Sequence, residues 1–379
     1  MKKFLRPTWA EIDLGAFRHN FRRIKNRIGA KADILAMVKA DAYGHGVLEL
    51  SKASLELGAK ILGVALIEEG IFLRKKGIRA PILVMGSIFP LENFKPVLEY
   101  GLYPSICSIM AAEKLSAITL SKKKKAGVFV KIDTGMGRVG ISHNRAAETI
   151  KKISKLPGIS IEGLFTHLAA GAIDAKFTRW QIKRFKEIVD ILGENGVSVK
   201  YRSVSNSTGI IKYPEAHFNL VRPGIALYGL LPYAGADRDI KLVPVLSWKT
   251  RVVFLKKVNR GTSISYSRTW KAKRASCIAT LPVGYADGYD RKLSNRAEVL
   301  VNGKRAPVVG NVCMDMCMID VTDVGGVKVG SEVVLIGSQE KQRITAEEMA
   351  GTIGTINYEV TCRLGTRVPR IFNNNSTEP

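Results

Sequence analysis

Short, wholly apolar runs alternate with amphipathic ones through the first two-thirds of the chain. The apolar runs are Ile34–Val38, Ile61–Ala65, Ile82–Met85, Val128–Ile132, Ile159–Phe165 and Val197–Val204. Helical patterns lie between them, over Val47–Leu57, Leu91–Tyr100, Arg145–Lys155 and Phe177–Leu192. In the last of these, Phe177, Trp180, Phe185, Ile188 and Leu192 recur at helical spacing, with charges between. A strand that is apolar at every position has no face to give to water. In alternation with helices, such strands form a parallel sheet covered on both sides. The alternation spans roughly 230 residues, the usual size of a (β/α)8 TIM-like barrel. An open doubly wound sheet is the competitor. It is weakened because no Gly-x-Gly-x-x-Gly turn follows the first strand.

After about Lys241 the texture changes to strand-like runs separated by Gly, Asn and Asp. These are Val243–Val258, Ser276–Pro282, Ala297–Val301, Ala306–Val309, Met314–Val321 and Val327–Ile336. Asn302-Gly303 between two of them is a strong hairpin signal. A Thr345 cap with Glu347 and Glu348 behind it predicts a short helix over Thr345–Gly351. The expected division is a barrel over 1–240 and a mainly β domain over 241–379. The boundary falls near Leu231–Leu242.

Of the 379 residues, 46% are hydrophobic, enough for a large core and against disorder. The five cysteines are few and odd in number, which suits a reducing cytoplasm and argues against a disulfide scaffold. Cys313 and Cys317 have no second Cys/His cluster nearby, so no metal is expected. Two N-terminal lysines lack an apolar segment behind them, so no signal peptide is expected, and no stretch approaches a membrane span. The net charge of +26 is extreme. Its densest run, Lys122 to Lys125, reads as a solvated loop. With no recognised motif beside it, neither specific nucleic-acid binding nor a membrane partner is expected.

Lys39 closes the run Ile34–Val38 and is followed at once by Tyr43 and a Gly-His-Gly turn. A lysine at the carboxyl end of a barrel strand can hold a carbonyl cofactor as a Schiff base, or simply snorkel to water. Other polar motifs also fall at strand ends: Lys131 to Gly140, Thr166-His167, Ser205 to Thr208, and Arg222 to Tyr228. In a barrel these ends converge on one face, where chemistry is built.

Several of these segments together resemble alanine racemase, a pyridoxal-phosphate (PLP) enzyme. They are Val38-Lys-Ala-Asp-Ala-Tyr-Gly-His-Gly46, Asp133-Thr-Gly-Met-Gly-Arg138, Ser265-Tyr266 and Cys313-Met-Asp315. The likeness runs from Arg6 to Val360. It implies a homodimer with shared sites that racemises alanine and supplies D-alanine for peptidoglycan. Lys39 resembles the Schiff-base lysine and one base, and Tyr266 the opposed base, delivered by the partner subunit. Arg222 resembles the residue facing the pyridine nitrogen, and His167 its neighbour. Tyr43, Ser207, Tyr358, Gly224 and Ile225 match the phosphate pocket, with Asn206 beside it. Arg138 resembles a contact of the cofactor's phenolic oxygen and of the substrate carboxylate. Met314 and Asp315 match the segment lining that carboxylate site from the partner. Tyr285 and Tyr358 match an inner gate. Lys131 aligns with a lysine carbamylated in some members. A racemase of serine or another small amino acid and a non-catalytic PLP-binding protein are the alternatives.

The chain departs from the pattern at Ser203, where a histidine usually helps hold the pyridine-facing arginine. A looser Arg222, or a water in place of the histidine, is therefore expected. Asn311 stands where arginine is common, and the stretch after His167 is shortened.

Overall fold

The computed structural model describes residues 5–374. The start of the stretch read as lacking a signal peptide lies outside these residues. The chain opens with β1 (Thr8–Asp13) and a helix, Leu14–Ile28. The Asp13 carboxylate caps that helix by accepting from the Gly15 and Ala16 N–H groups. Phe17, Phe21, Ile24 and Ile28 bury one stripe of it against the core.

Eight parallel strands then wind round a barrel. They are β2 (Asp33–Met37), β3 (Ile61–Val64), β4 (Ile82–Val84), β5 (Tyr103–Ile106) and β6 (Ala126–Asp133), which carries a two-residue β7 (Ile141–Ser142). After them come β8 (Ile159–Phe165), β9 (Tyr201–Ser203) and β10 (Leu220–Val221). The order is β10-β2-β3-β4-β5-β6-β8-β9. Side chains bridge the seam between β9 and β10. Ser203 Oγ donates to the Leu220 carbonyl at 2.6 Å, and Arg202 N–H donates to Asn219 Oδ1 at 2.7 Å. The barrel expectation is met.

Some boundaries moved. Only Tyr201–Ser203 of the run Val197–Val204 is a strand, because Val197 and Val199 pack from the preceding loop instead. The strands Tyr103–Ile106 and Leu220–Val221 were not foreseen. Pro104 and Ser105 break the apolar pattern of the first, and Ser105 Oγ is satisfied inside by the Val84 carbonyl at 2.8 Å. The second is two residues long.

The remaining strands are β11 (Leu246–Arg251), β12 (Phe254–Val258), β13 (Ser263–Ile264), β14 (Trp270–Lys271), β15 (Ser276–Leu281) and β16 (Glu298–Val301). They continue with β17 (Lys304–Pro307), β18 (Cys317–Asp320), β19 (Glu332–Gln339), β20 (Gln342–Ile344) and β21 (Arg370–Asn373). The larger sheet runs β17-β16-β19-β11-β1-β21, and β12-β15-β18 forms a smaller one. Thr8–Asp13, which the expected division assigns to the barrel, is a strand of this second sheet. It lies antiparallel to β11 and parallel to β21. Asn302 and Gly303 join β16 to β17 with positive φ at both positions, as the hairpin signal predicts.

Buried Asn20 ties the first helix to the segment that links the two regions. Its side chain donates to the Val243 carbonyl at 2.7 Å and accepts from the Val243 N–H at 2.8 Å. One continuous apolar cluster then runs from the barrel to Trp248 and Tyr289. Helix Ala346–Ile353, capped by Thr345, leads into helix Asn357–Cys362, which returns to the barrel mouth.

Candidate active site

Lys39 follows β2 at the barrel's carboxyl end, and the backbone turns sharply behind it. Ala40, Asp41, Ala42 and Tyr43 all have φ between +52° and +56°. A left-handed turn of L-residues costs about 1–2 kcal/mol per residue, so the surroundings must hold it. Glu69 Oε1 accepts from Ala40 N–H at 2.6 Å, and Asp41 Oδ1 accepts from Val47 N–H at 2.8 Å. Arg370 Nε donates to the Gly44 carbonyl at 3.0 Å. At Gly44 a Cβ would run into the Thr361 carbonyl, so only glycine fits. His45 donates from Nδ1 to the Tyr43 carbonyl at 2.9 Å and packs 4.6 Å from the Tyr228 ring. Burial lowers its pKa to about 4. The turn aims Tyr43 into the cavity and leaves Lys39 at its mouth.

That cavity, about 410 Å³, lies at the strands' carboxyl ends. Its walls include Lys39, Tyr43, Lys131, Arg138, His167, Asn206, Ser207, Arg222, Gly224, Ile225 and Tyr358. Eleven separately identified candidates therefore share one space. The lining holds four cations and no carboxylate, so it suits an anionic ligand.

Arg222 is buried, and both terminal nitrogens of its guanidinium are held by the protein. Nη1 donates to Ser203 Oγ at 2.6 Å, and Nη2 donates to the Thr166 and Val204 carbonyls at 2.6 and 3.2 Å. His167 Nδ1 lies 3.4 Å from Nη2. Burial and then Arg222 hold the His167 pKa well below its ordinary value, so the ring is neutral and accepts from Arg222. The expectation of a looser Arg222 is corrected. Ser203 takes over as the hydrogen-bond partner, because its hydroxyl can accept from the guanidinium and donate to Leu220.

Lys131 is buried over the Phe165 ring, 5.1 Å from its centroid. Burial, then Arg222 and Arg138, lower its pKa to about 8. Burial, then Arg138, also lowers the pKa of Lys39. Ser207 Oγ accepts from the Gly224 and Ala226 N–H groups at 3.0 and 3.3 Å. A Cβ on Gly224 would sit 2.5 Å from the Tyr43 hydroxyl.

Tyr266, Tyr285, Met314 and Asp315 are not in this cavity. They form a second cluster on the face of the β region. Ser265 Oγ donates to the Asn311 carbonyl at 2.6 Å, and Asn311 Nδ2 donates to the Tyr266 carbonyl at 2.9 Å. Tyr285 N–H donates to the Cys313 carbonyl at 3.0 Å. Asp315 pairs with Arg367 at 2.7 Å. Tyr266 is 72% exposed, and Tyr285, Met314, Met316 and Ile356 are exposed with it.

Sequence reasoning missed Glu69, which holds the turn after Lys39, and Phe165, the ring beneath Lys131 and Arg222. Phe165 ends a strand that the apolar pattern did find. Glu69 is the third residue of helix Ile67–Lys75, where a glutamate signals only a helix start and not its bond to Ala40.

Residues 12–232 match the alanine racemase N-terminal domain family, and residues 245–372 match the C-terminal domain family. An alanine racemase of Halothermothrix orenii is 45% identical over 98% of this chain and 98% of its own length. One from Clostridium kluyveri is 44% identical over 97% of this chain and 94% of its own. Among solved structures, the Clostridium difficile 630 alanine racemase superposes with a TM-score of 0.94 at 38% identity, covering 99% of this chain and 97% of that one. The Bacillus anthracis alanine racemase with bound L-Ala-P gives a TM-score of 0.92 at 38% identity, with 99% and 97% covered. A barrel mouth built round Lys39 and Arg222, and likeness along the whole chain, place this protein in the alanine racemase family.

Proposed function

We propose that the chain interconverts L- and D-alanine by moving the Cα proton between Lys39 on one face and the partner subunit's Tyr266 on the other. The observation that supports this is the cavity lined by both Lys39 and Arg222, with four cations and no carboxylate among its lining residues.

Alanine racemases depend on pyridoxal phosphate, and the cavity fits it. Four cations without a carboxylate suit a phosphate together with a substrate carboxylate. The bare Gly224 leaves room beside Tyr43 that a side chain would fill. When bound, the cofactor withdraws electrons from Cα and makes its hydrogen acidic. Lys39 would hold the aldehyde carbon. Tyr43, Ser207, Tyr358 and the backbone at Gly224 and Ile225 would hold the phosphate, with Asn206 beside them.

Lys39 needs a free amine to act as a base, and its lowered pKa enlarges that fraction at neutral pH. Arg222 stays protonated and donates, so it leaves an acceptor nitrogen opposite it without a proton. His167 and Ser203 are positioning residues that fix Arg222. Arg138 and the partner subunit's Met314 N–H would receive the substrate carboxylate, lined by the partner subunit's Asp315. The phenols of Tyr358 and the partner subunit's Tyr285 would crowd the Cα substituent. One methylene is worth only about 1–3 kcal/mol of discrimination, so some serine would pass. Lys131, buried and with its pKa at about 8, has enough free amine to take up carbon dioxide as a carbamate. A carbamate would give Arg138 an anionic partner.

The exposed cluster of Tyr266, Tyr285 and Met314 supports a homodimer in which each subunit completes its partner's cavity. The five free cysteines support a reducing cytoplasm, where D-alanine would be made for peptidoglycan. The family matches that end at residue 232 and resume at residue 245 support a unit boundary near Leu231–Leu242. Circular dichroism of L-alanine mixed with the PLP-loaded protein tests the activity. Decay of the signal toward zero is expected, and a flat trace with cofactor bound would overturn the reading. Lys39→Ala should abolish the decay.

A further inference from the structure

The site uses little of the chain's charge of +26. The barrel topology shows where much of the rest is gathered. Every loop that feeds a parallel barrel strand lies at that strand's amino end, so these loops share one end of the barrel. Lys31 precedes β2, Lys60 precedes β3 and Arg79 precedes β4. Lys122–Lys125 precede β6, Lys155 precedes β8 and Lys200 precedes β9. All are exposed. Lys39, Arg138, His167 and Arg222 follow strand carboxyl ends and lie at the opposite end.

The helices also point their carboxyl ends at this face. Cations in their last turns, such as Lys25, Arg27, Lys75 and Lys151, answer the helix dipoles. The loop cations lie beyond the helices and come in addition. Among the described residues, Lys31, Lys60, Arg79, Lys122–Lys125 and Lys155 are in no ion pair. Glu56, Glu99 and Glu194 close helices there, Asp33 begins β2, and Glu162 lies near Lys200; these five acids are fewer than the nine loop cations.

We propose that the amino-terminal end of the barrel is a docking surface for an anionic lipid bilayer. The cationic loops are spread round the strand order rather than along one arc. A plane can meet them all at once, whereas a rod-like duplex meets only a few. Among the described residues, the loops that feed these strands hold no α-helix or strand pair that could enter a groove. The loop cations are nearly all lysines, which suits a diffuse headgroup field better than bidentate phosphate recognition. No helix of the described residues is long and apolar enough to cross a membrane, so the contact is peripheral. Docking by this end leaves the catalytic mouth facing water.

Co-sedimentation with vesicles tests it, using phosphatidylcholine alone and an equimolar mixture with phosphatidylglycerol. The protein should pellet with the mixture at about 100 mM salt, bind at least about tenfold more weakly at about 500 mM, and ignore phosphatidylcholine. Two variants, Lys122→Glu with Lys124→Glu, and Lys60→Glu with Lys155→Glu, should each lose several-fold in binding. Both should keep the racemase rate in solution, which shows that they fold. Failure to pellet with the anionic vesicles, or unchanged binding in both variants, would overturn the proposal. So would tighter binding to duplex DNA at equal phosphate concentration.

Discussion

The Arg222 guanidinium donates to the Ser203 hydroxyl at 2.6 Å, and that hydroxyl donates onward to the Leu220 carbonyl at 2.6 Å. One small side chain thus joins Arg222, proposed above to face the cofactor nitrogen, to the strand that precedes it. Ser203→Ala leaves a buried charged N–H without an acceptor. The loss should be about 1.5–3 kcal/mol, the range for hydrogen bonds to charged groups. Urea unfolding of the cofactor-free protein would register it, and a denaturation midpoint equal to the parent's would contradict the geometry.

Gly224→Ala places a methyl 2.5 Å from the Tyr43 hydroxyl. Tyr43 is held by the turn behind Lys39 and cannot retreat freely. We expect cofactor affinity to fall by tenfold or more, equivalent to about 1.4 kcal/mol. A PLP titration followed by fluorescence measures it. Unaltered affinity would remove Gly224 from the phosphate pocket.

Lys39→Ala and Tyr266→Phe test the shared site when mixed. Each variant alone should be nearly inactive as a homodimer. After unfolding and refolding together, half of the dimers pair one variant with the other. Each such dimer has one intact site, so recovery should reach about a quarter of the parent rate. No recovery, with dimers shown by sedimentation, would place both residues on one subunit's site or remove Tyr266 from it.

His45 sets a pH dependence of stability. Its folded pKa is about 4 against an ordinary 6.5. Between those values the unfolded chain binds a proton that the folded chain does not. Stability from this residue is therefore present above pH 6.5 and is lost as pH falls toward 4. The full effect is about 3 kcal/mol at a fully buried site. His45→Gln keeps a donor near the Tyr43 carbonyl but does not titrate. Its stability difference from the parent should shrink as the pH falls from 7 to about 4.5, and a constant difference would refute the assignment.

Much of the cavity was legible because its residues sit in local motifs at strand ends. Lys39, Arg138, His167 and Arg222 each follow an apolar run or its turn, and a parallel barrel brings such ends together whatever the intervening helices do. Glu69 was legible only in part. As the third residue of helix Ile67–Lys75 it is a capping glutamate for the Leu66 N–H, but nothing local signals its reach to Ala40. The role of Ser203 was misjudged for a similar reason. A hydroxyl can replace a histidine as acceptor only if the backbone brings it within reach, which a sequence does not state.

The sequence by itself determined the alternation of buried strands and helices, the hairpin at Asn302-Gly303, and the order of polar motifs. These follow from local periodicity and turn chemistry. The tertiary structure alone decided which distant residues meet. It put Thr8–Asp13 into the second sheet, because only there do both of its edges find partners. It turned scattered lysines into one charged end, since every strand-feeding loop of a parallel barrel emerges on the same side. It also left Tyr266 on an exposed surface, with its backbone fixed by Asn311 and no wall of its own subunit's cavity beside it.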